Sequence, residues 1–144
     1  MDLEVRIATT GQELTGALEL RYRVFVQEQG VPAELEHDEQ DATALHVVAL
    51  QQGSVIGTGR LVSESGTAAR IGRMAVAAHL RRMGVGSEVL SCLEQQARSQ
   101  GKQTVLLHAQ LAVRGFYDYH GYTAQGEEFE EAGIRHVTMV KVLV

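Results

Sequence analysis

The stretch from Ile71 to Gly86 restricts the fold of this chain more than any other. An apolar strand ends at Val76, a short loop follows, and Arg81-Arg82-Met83-Gly84-Val85-Gly86 then opens a helix. Glycines at a helix start let backbone N–H groups come close to an anion. The helix N-terminus adds partial positive charge, and Arg81 and Arg82 add full charges. The combination suits a pyrophosphate. It is not a Walker loop, because no Gly-Lys-[Ser/Thr] is present. It is not a dinucleotide fingerprint either, because the third glycine position holds Val89. A lone Gly-x-Gly needs no more than a tight turn, so the order of elements around it must carry the argument.

That order begins with the helix itself. Val85, Val89, Leu93 and Ala97 recur at four-residue spacing between Gly84 and Gln100, and Gly101 suits the C-terminal cap. Thr104 to Leu107 reads as a buried strand. A helix between two strands requires a parallel crossover. Upstream, Leu3 to Ile7 alternates as a strand. Thr9 or Thr10 caps a helix, with Glu13 in capping-box spacing from Thr10. That helix carries Leu14, Leu18, Tyr22 and Phe25 near one face and ends by Gly30 and Pro32. Residues 33–43 are acidic and polar and read as a loop with one helical turn. His46 to Leu50, Val55 to Val62 and Ala69 to Val76 are three strands joined by short turns, an antiparallel meander. Leu111 to His120 reads as a short helix stopped by Gly121. His136 to Val144 is a last strand, with room for one more around Tyr122 to Gly126. The class is α/β in the α+β sense. Its core is a mixed, mostly antiparallel sheet of six or seven strands flanked by about four helices.

Length and composition bound the function. The 144 residues fit one domain, 1–144, with a single sizeable core. Apolar residues make up 44% and charged residues 22%, the proportions of an ordinary globular protein. The net charge of −5 supplies no basic field for nucleic acid or an anionic membrane. No apolar run approaches the ~20 residues of a membrane span. Met1-Asp2-Leu3-Glu4 lacks the layout of a signal peptide. Cys92 is the sole cysteine, so no internal disulfide forms, and its place inside a helix reads as core. His37 and Asp38 have no further ligand at metal spacing. These features lead to an expected cytoplasmic protein with no metal, nucleic-acid or membrane partner.

Arg81, Gly84 and Gly86 fill the pattern [Arg/Gln]-x-x-Gly-x-[Gly/Ala], the acyl-CoA motif of the GNAT acetyltransferase superfamily. The preceding strand, Arg73-Met74-Ala75-Val76, resembles that family's fourth strand. Phe116-Tyr117-Asp118-Tyr119-His120-Gly121-Tyr122 resembles its aromatic-x-x-x-Gly-[Phe/Tyr] helix end. The resemblance spans Leu3 to Lys141. A narrower likeness to the ElaA-like branch rests on Arg21 to Gln29, Gly57 to Leu61, Ala109-Gln110 and Gly133 to Met139. That branch brings no firm substrate.

The resemblance implies an N-acetyltransferase. A splay between the fourth and fifth strands admits the pantetheine arm of acetyl-CoA. Met74, Ala75 and Val76 pair with the arm, and Arg81, Arg82, Met83, Gly84, Val85 and Gly86 hold the pyrophosphate. A primary amine, on a small molecule or a peptide, then attacks directly in a ternary complex. Tyr117 takes the family's acid position at the cofactor, and a phenol with an ordinary pKa near 10 is protonated and able to donate. Tyr119 faces elsewhere and is structural. Glu28, at the end of the first helix, and His108, near the end of the fifth strand, are the alternatives for a base. Each has a plain structural reading beside it, a helix-end carboxylate and a core histidine. His46 reads as structural. The acidic run Glu34, Glu36, Asp38, Glu39 and Asp41 reads as a solvated loop, or as an attractor for a cationic amine. Arg60 reads as an exposed strand arginine, or as the partner of an acceptor carboxylate. A homodimer fits the family. The rival readings are an acyl-CoA-binding module without transfer and a nucleotide-binding regulator.

Overall fold

Seven strands are β1 (Glu4–Ile7), β2 (Leu45–Gln51), β3 (Ser54–Ser63), β4 (Ala68–Val76), β5 (Thr104–Gln110), β6 (Thr123–Glu131) and β7 (Ile134–Val142). In the computed structural model, which describes residues 2–143, they form one sheet in the order β1-β2-β3-β4-β5-β7-β6. Every neighbouring pair is antiparallel except β4 and β5. This is the mixed sheet expected from the element order. The extra strand expected near Tyr122–Gly126 is the longer β6. The last strand begins at Ile134 instead of His136, and its expected end at Val144 lies outside the described residues. Four α-helices accompany the sheet: α1 (Gly11–Arg21), α2 (Ala33–Glu36), α3 (Val85–Ser99) and α4 (Arg114–Tyr119).

α3 is the parallel crossover. Its Val85, Val89, Leu93 and Ala97 are all 1% exposed or less, as their spacing requires. The helix seats directly on β3, where side chains have been removed to admit it. A Cβ on Gly59 would come within 2.7 Å of Leu93 Cδ1 and 2.8 Å of Met74 Sδ. A methyl group there would push the helix or the strand aside.

α1 departs from its expected face. Thr10 caps it by accepting from the N–H of Glu13 at 3.1 Å. The Glu13 carboxylate reaches Thr9 N, at 2.8 Å, instead of Thr10, so the box is shared by two threonines. The same carboxylate is held by Arg6 at 2.6 Å. The residues α1 and its continuation bury are Ala17, Leu20, Arg21 and Val24, while Tyr22 is exposed. These positions recur at i, i+3, i+4 and i+7, so the buried stripe keeps helical spacing but falls on another row than Leu14, Leu18 and Tyr22, and the chain continues in π-helical turns over Tyr22–Glu28.

The acidic segment is solvated at Glu34 and Glu39, as expected, but it buries Glu36 and Asp41. It folds into α2 and a 3₁₀ turn, Glu39–Ala42, capped by Asp38. Glu36 and Asp41 are each 6% exposed because arginines from three other elements meet them. Arg21 of α1 is fully buried and binds Glu36 Oε2 at 2.9 Å and Asp41 at 2.7 and 3.0 Å. Arg60 of β3 binds Asp38 at 2.7 and 2.9 Å and Asp41 at 2.9 Å. Arg73 of β4 adds contacts to Glu36 and Asp38, each at 3.2 Å. Arg60 is therefore neither exposed nor free for an acceptor carboxylate. The sequence displays the acids but not their pairing with the arginines, which lie 15 or more residues away along the chain.

Two outcomes follow from this network. Arg21→Met strands Glu36 and Asp41 in a buried site, and removal of one partner of such a pair costs about 3–5 kcal/mol. Urea unfolding should show that loss; a change below about 1 kcal/mol would mean the acids find other partners. Burial opposes ionisation of Asp41, yet the hydrogen bonds and charge of Arg21, joined by Arg60, hold its carboxyl well below the ordinary range. Arg60 does the same to Asp38. A depressed carboxyl stabilises the fold fully above its unfolded pKa, about 3.9, and loses that contribution as pH falls toward the folded value. Melting temperature from these two groups should be flat from pH 7 to about 5 and fall below about 4. Arg60→Met should flatten the acid limb.

Candidate active site

β4 and β5 begin side by side and then part. Their register holds only at Ala68↔Thr104, Ala69↔Val105 and Arg70↔Leu106. Beyond Arg70, β5 stays bound to β7 along its whole length, while β4 turns away. A bulge in β4 accounts for the turn. Thr58 opposes Ala75 and Arg60 opposes Gly72, so Arg73 and Met74 face the single residue Gly59. Arg73 takes the extra position with φ of 55°, in the left-handed region. Such a bulge bends its strand and frees its edge. The edge of β4 from Ile71 to Val76 therefore has no strand beside it on the β5 side.

The gap opens into a cleft of about 1030 Å³. Met74, Ala75 and Val76 lie on one wall, Leu107, His108 and Tyr117 on the other, and Arg81, Arg82, Gly84 and Gly86 at one end.

That end is the start of α3. Gly84 caps the helix at φ 88°, ψ 0°, a backbone conformation that side chains disfavour, and supplies no side-chain cap. The N–H groups of Val85, Gly86 and Ser87 thus keep the free donors of a helix N-terminus. Gly86 has helical geometry, and a Cβ there would meet Phe116 only at ordinary contact, 3.5 Å. Val85 is buried and Met83 points outward, 55% exposed, so each can offer backbone alone. Arg82 is exposed and makes no ion pair among the described residues. Arg81 is engaged: Nε donates to Val76 O at 3.0 Å and Nη2 pairs with Glu28 at 2.8 Å. The Val76 carbonyl, expected at the pantetheine arm, is thus held by Arg81.

α4 brings Tyr117 to the same cleft. Phe116 and Tyr122 pack edge-on to its ring, with centroids 5.1 and 5.8 Å away. Tyr122 is fixed in turn, its hydroxyl donating to buried Glu94 at 2.8 Å, with Lys141 on the other carboxylate oxygen at 3.0 Å. The far end of α4 is tied to the first turn of α3 by a 2.9 Å contact between His120 Nε2 and Ser87 Oγ. Tyr117 itself is 8% exposed, and burial pushes its hydroxyl up to about 12. It stays protonated throughout the physiological range. Tyr119 points away and is 86% exposed.

Of the two base candidates, the structure places only His108 on the cleft wall. Glu28 sits outside it, paired with Arg81. Nδ1 of His108 meets Arg70 Nη2 at 2.8 Å and Glu131 Oε1 at 3.1 Å. His136 stands nearby, 6% exposed, stacked on Phe129. Arg70, Glu131 and His136 come from three strands; His136 lies in the Gly133–Met139 stretch of the ElaA-like likeness, but no motif marked Arg70 or Glu131. The available signal was that β5, β7 and the β6–β7 turn must converge on one sheet edge. His46 is structural, its Nε2 3.0 Å from Asp41 O. Cys92 packs against the core, and burial raises its thiol. Among the described residues no group of three His, Cys, Asp or Glu side chains gathers to hold a metal ion, and no helix is long and apolar enough to cross a membrane.

This geometry agrees with comparisons to known proteins. The N-acetyltransferase YjcF of Bacillus subtilis, itself uncharacterized, is 37% identical over 94% of this chain and 96% of its own. An acyl-CoA N-acyltransferase from Pseudomonas aeruginosa superposes with a TM-score of 0.85 at 29% identity, over 98% of this chain and 99% of that one. Escherichia coli ElaA is 28% identical over 92% of this chain and 89% of its own, and its crystal structure superposes with a TM-score of 0.82 over 97% of this chain and 98% of that one. The family model for the acetyltransferase (GNAT) domain matches residues 6–143, so the chain belongs to the GNAT acetyltransferase family, with ElaA among its relatives.

Proposed function

We propose that this protein, acting as one domain, transfers an acetyl group from acetyl-CoA to a primary amine within a ternary complex. One observation carries the reading: the unpaired edge of β4, the bare start of α3 and the Tyr117 hydroxyl all open onto one cleft. The edge offers backbone groups to the amide-bearing pantetheine arm. The N–H groups after Gly84, with Arg82, suit the pyrophosphate.

In the reaction, the neutral amine nitrogen bonds to the thioester carbon, and negative charge develops on the carbonyl oxygen. Backbone N–H groups of the freed β4 edge stabilise that charge. The carbon–sulfur bond then breaks. Tyr117 donates to the departing sulfur, and the proton lost by nitrogen replaces the one it gives. His108, on the cleft wall, is the base we assign for bringing the amine to its neutral form, directly or through water. Glu28 serves the cofactor end through Arg81.

Thermal unfolding with acetyl-CoA, CoA, ATP and NAD tests the cofactor. A ligand at about 100 times its dissociation constant stabilises the fold by about 2.7 kcal/mol. Only the CoA species should raise the midpoint. Gly84→Asp, which puts a carboxylate and a strained backbone where the pyrophosphate belongs, should abolish the rise. The same midpoint for wild type with and without millimolar CoA would sink the reading. Tyr117→Phe should lower kcat by about a hundredfold or more and leave the CoA-induced shift intact. A kcat within twofold of wild type would remove Tyr117 from the chemistry. CoA binding with no turnover on any amine would favour a module that binds acyl-CoA without transferring it.

A further inference from the structure

Two cleft-lining arginines have no carboxylate within ion-pair distance among the described residues: Arg82 at the α3 end and Arg70 at the other. The rest are committed, Arg60 to Asp38 and Asp41, Arg73 to Glu36 and Asp38, and Arg81 to Glu28. Arg70 is the last residue of β4 before the strands part. Its Nη2 donates to His108 Nδ1 at 2.8 Å. A guanidinium only donates, so in this contact Nδ1 is the acceptor.

Glu131 Oε1 lies 3.1 Å from the same nitrogen. A carboxylate can only accept there, so Nδ1 of a neutral ring cannot serve both groups at once. Its other neighbour is His136 Nε2 at 3.8 Å. His136 donates from Nδ1 to Ile134 O at 2.7 Å. A carboxylate and a guanidinium thus compete for one imidazole nitrogen on the cleft wall, and the guanidinium has no carboxylate of its own among the described residues. A ligand that brings a cation to Glu131 and an anion to Arg70 relieves that competition. The distances of 2.8 and 3.1 Å from a single nitrogen place these two groups no more than about 6 Å apart.

We infer that the acceptor is a free α-amino acid, its carboxylate paired with Arg70 and its ammonium group with Glu131. This rests on the transfer reading for the fate of the amine, but the binding site stands on its own. A polyamine or an amino sugar supplies the cation without the anion. When the substrate carboxylate draws Arg70 away, His108 Nδ1 is released to take one proton from the ammonium group. The nitrogen then attacks, the carbon–sulfur bond breaks, and the second proton shed by nitrogen makes good the one Tyr117 gives to sulfur. The proton on His108 leaves to solvent.

The test measures binding first, so it does not depend on turnover. Calorimetric titration of the protein, with and without CoA, would use a panel of free α-amino acids, their C-terminal amides and the matching decarboxylated amines. At least one amino acid should bind about tenfold or more tightly than its amide, the scale of one charged hydrogen-bonded pair. Arg70→Gln should erase that difference. Glu131→Gln should weaken the amino acid and leave its N-acetyl derivative unaffected. Amides that bind as tightly as acids, or no amino acid binding at millimolar concentration, would overturn the inference. A protein that binds the amino acid but never acetylates it loses the transfer reading and keeps this one. A protein that acetylates carboxylate-free amines just as well does the reverse.

Discussion

The bulge at Arg73 is the constraint on which the rest of the site depends. A parallel pair of strands shares every backbone donor and acceptor along its contact. Without the extra residue in β4, the β4–β5 ladder would continue past Arg70, and the centre of the sheet would be closed. The left-handed backbone of a non-glycine residue costs of the order of 1–3 kcal/mol and persists only where its surroundings fix it. Here the surroundings are ionic. The Arg73 side chain reaches out of the bulge to the Leu35 and Glu36 carbonyls and to Asp38. The strand's irregularity and the acidic segment above it are therefore one device.

The same ion network sorts the arginines of the cleft. Three acids, Glu36, Asp38 and Asp41, hold Arg21, Arg60 and Arg73. Burying such charges is costly unless each is paired, and the bidentate geometry of Arg60 on Asp38 and of Arg21 on Asp41 supplies the pairing. With those groups satisfied internally, the field presented to a ligand comes from Arg82 at one end and from the Arg70–His108–Glu131 group at the other. The two ends of the cleft are distinguished by which charges the fold has left over, not by how many charges line the wall.

Between the ends, position is set by packing. Tyr117 rests on a stack of aromatic edges that leads through Tyr122 to Glu94 and Lys141, while His120 ties α4 to Ser87. The hydroxyl presented to the cleft and the bare helix start are thus fixed to the same helix, α3. Burial raises the pKa of that hydroxyl, which suits a proton donor.

Much of this was legible in the chain itself. The periodicity of Val85, Val89, Leu93 and Ala97 determines α3, since only one helical face carries them. The turns at 51–53 and 63–66 determine the meander, and Arg81, Gly84 and Gly86 mark the family and the glycine turn that opens α3. Those signals are local: each is written in consecutive or helically spaced residues. What the tertiary structure decided is non-local. The pairing of Arg21 with Asp41 and of Arg60 with Asp38 joins segments about 20 residues apart, and it gave an expected solvated loop two buried acids, Glu36 and Asp41. The buried face of α1 fell on Ala17, Leu20 and Arg21, with Arg21 turned to Glu36 and Asp41, instead of on the row of Leu14, Leu18 and Tyr22. Arg70, His108 and Glu131 meet only because β4 stops pairing with β5 where the β6–β7 turn comes over it. Charge pairing and strand divergence depend on distances through space, and no spacing along the sequence encodes them.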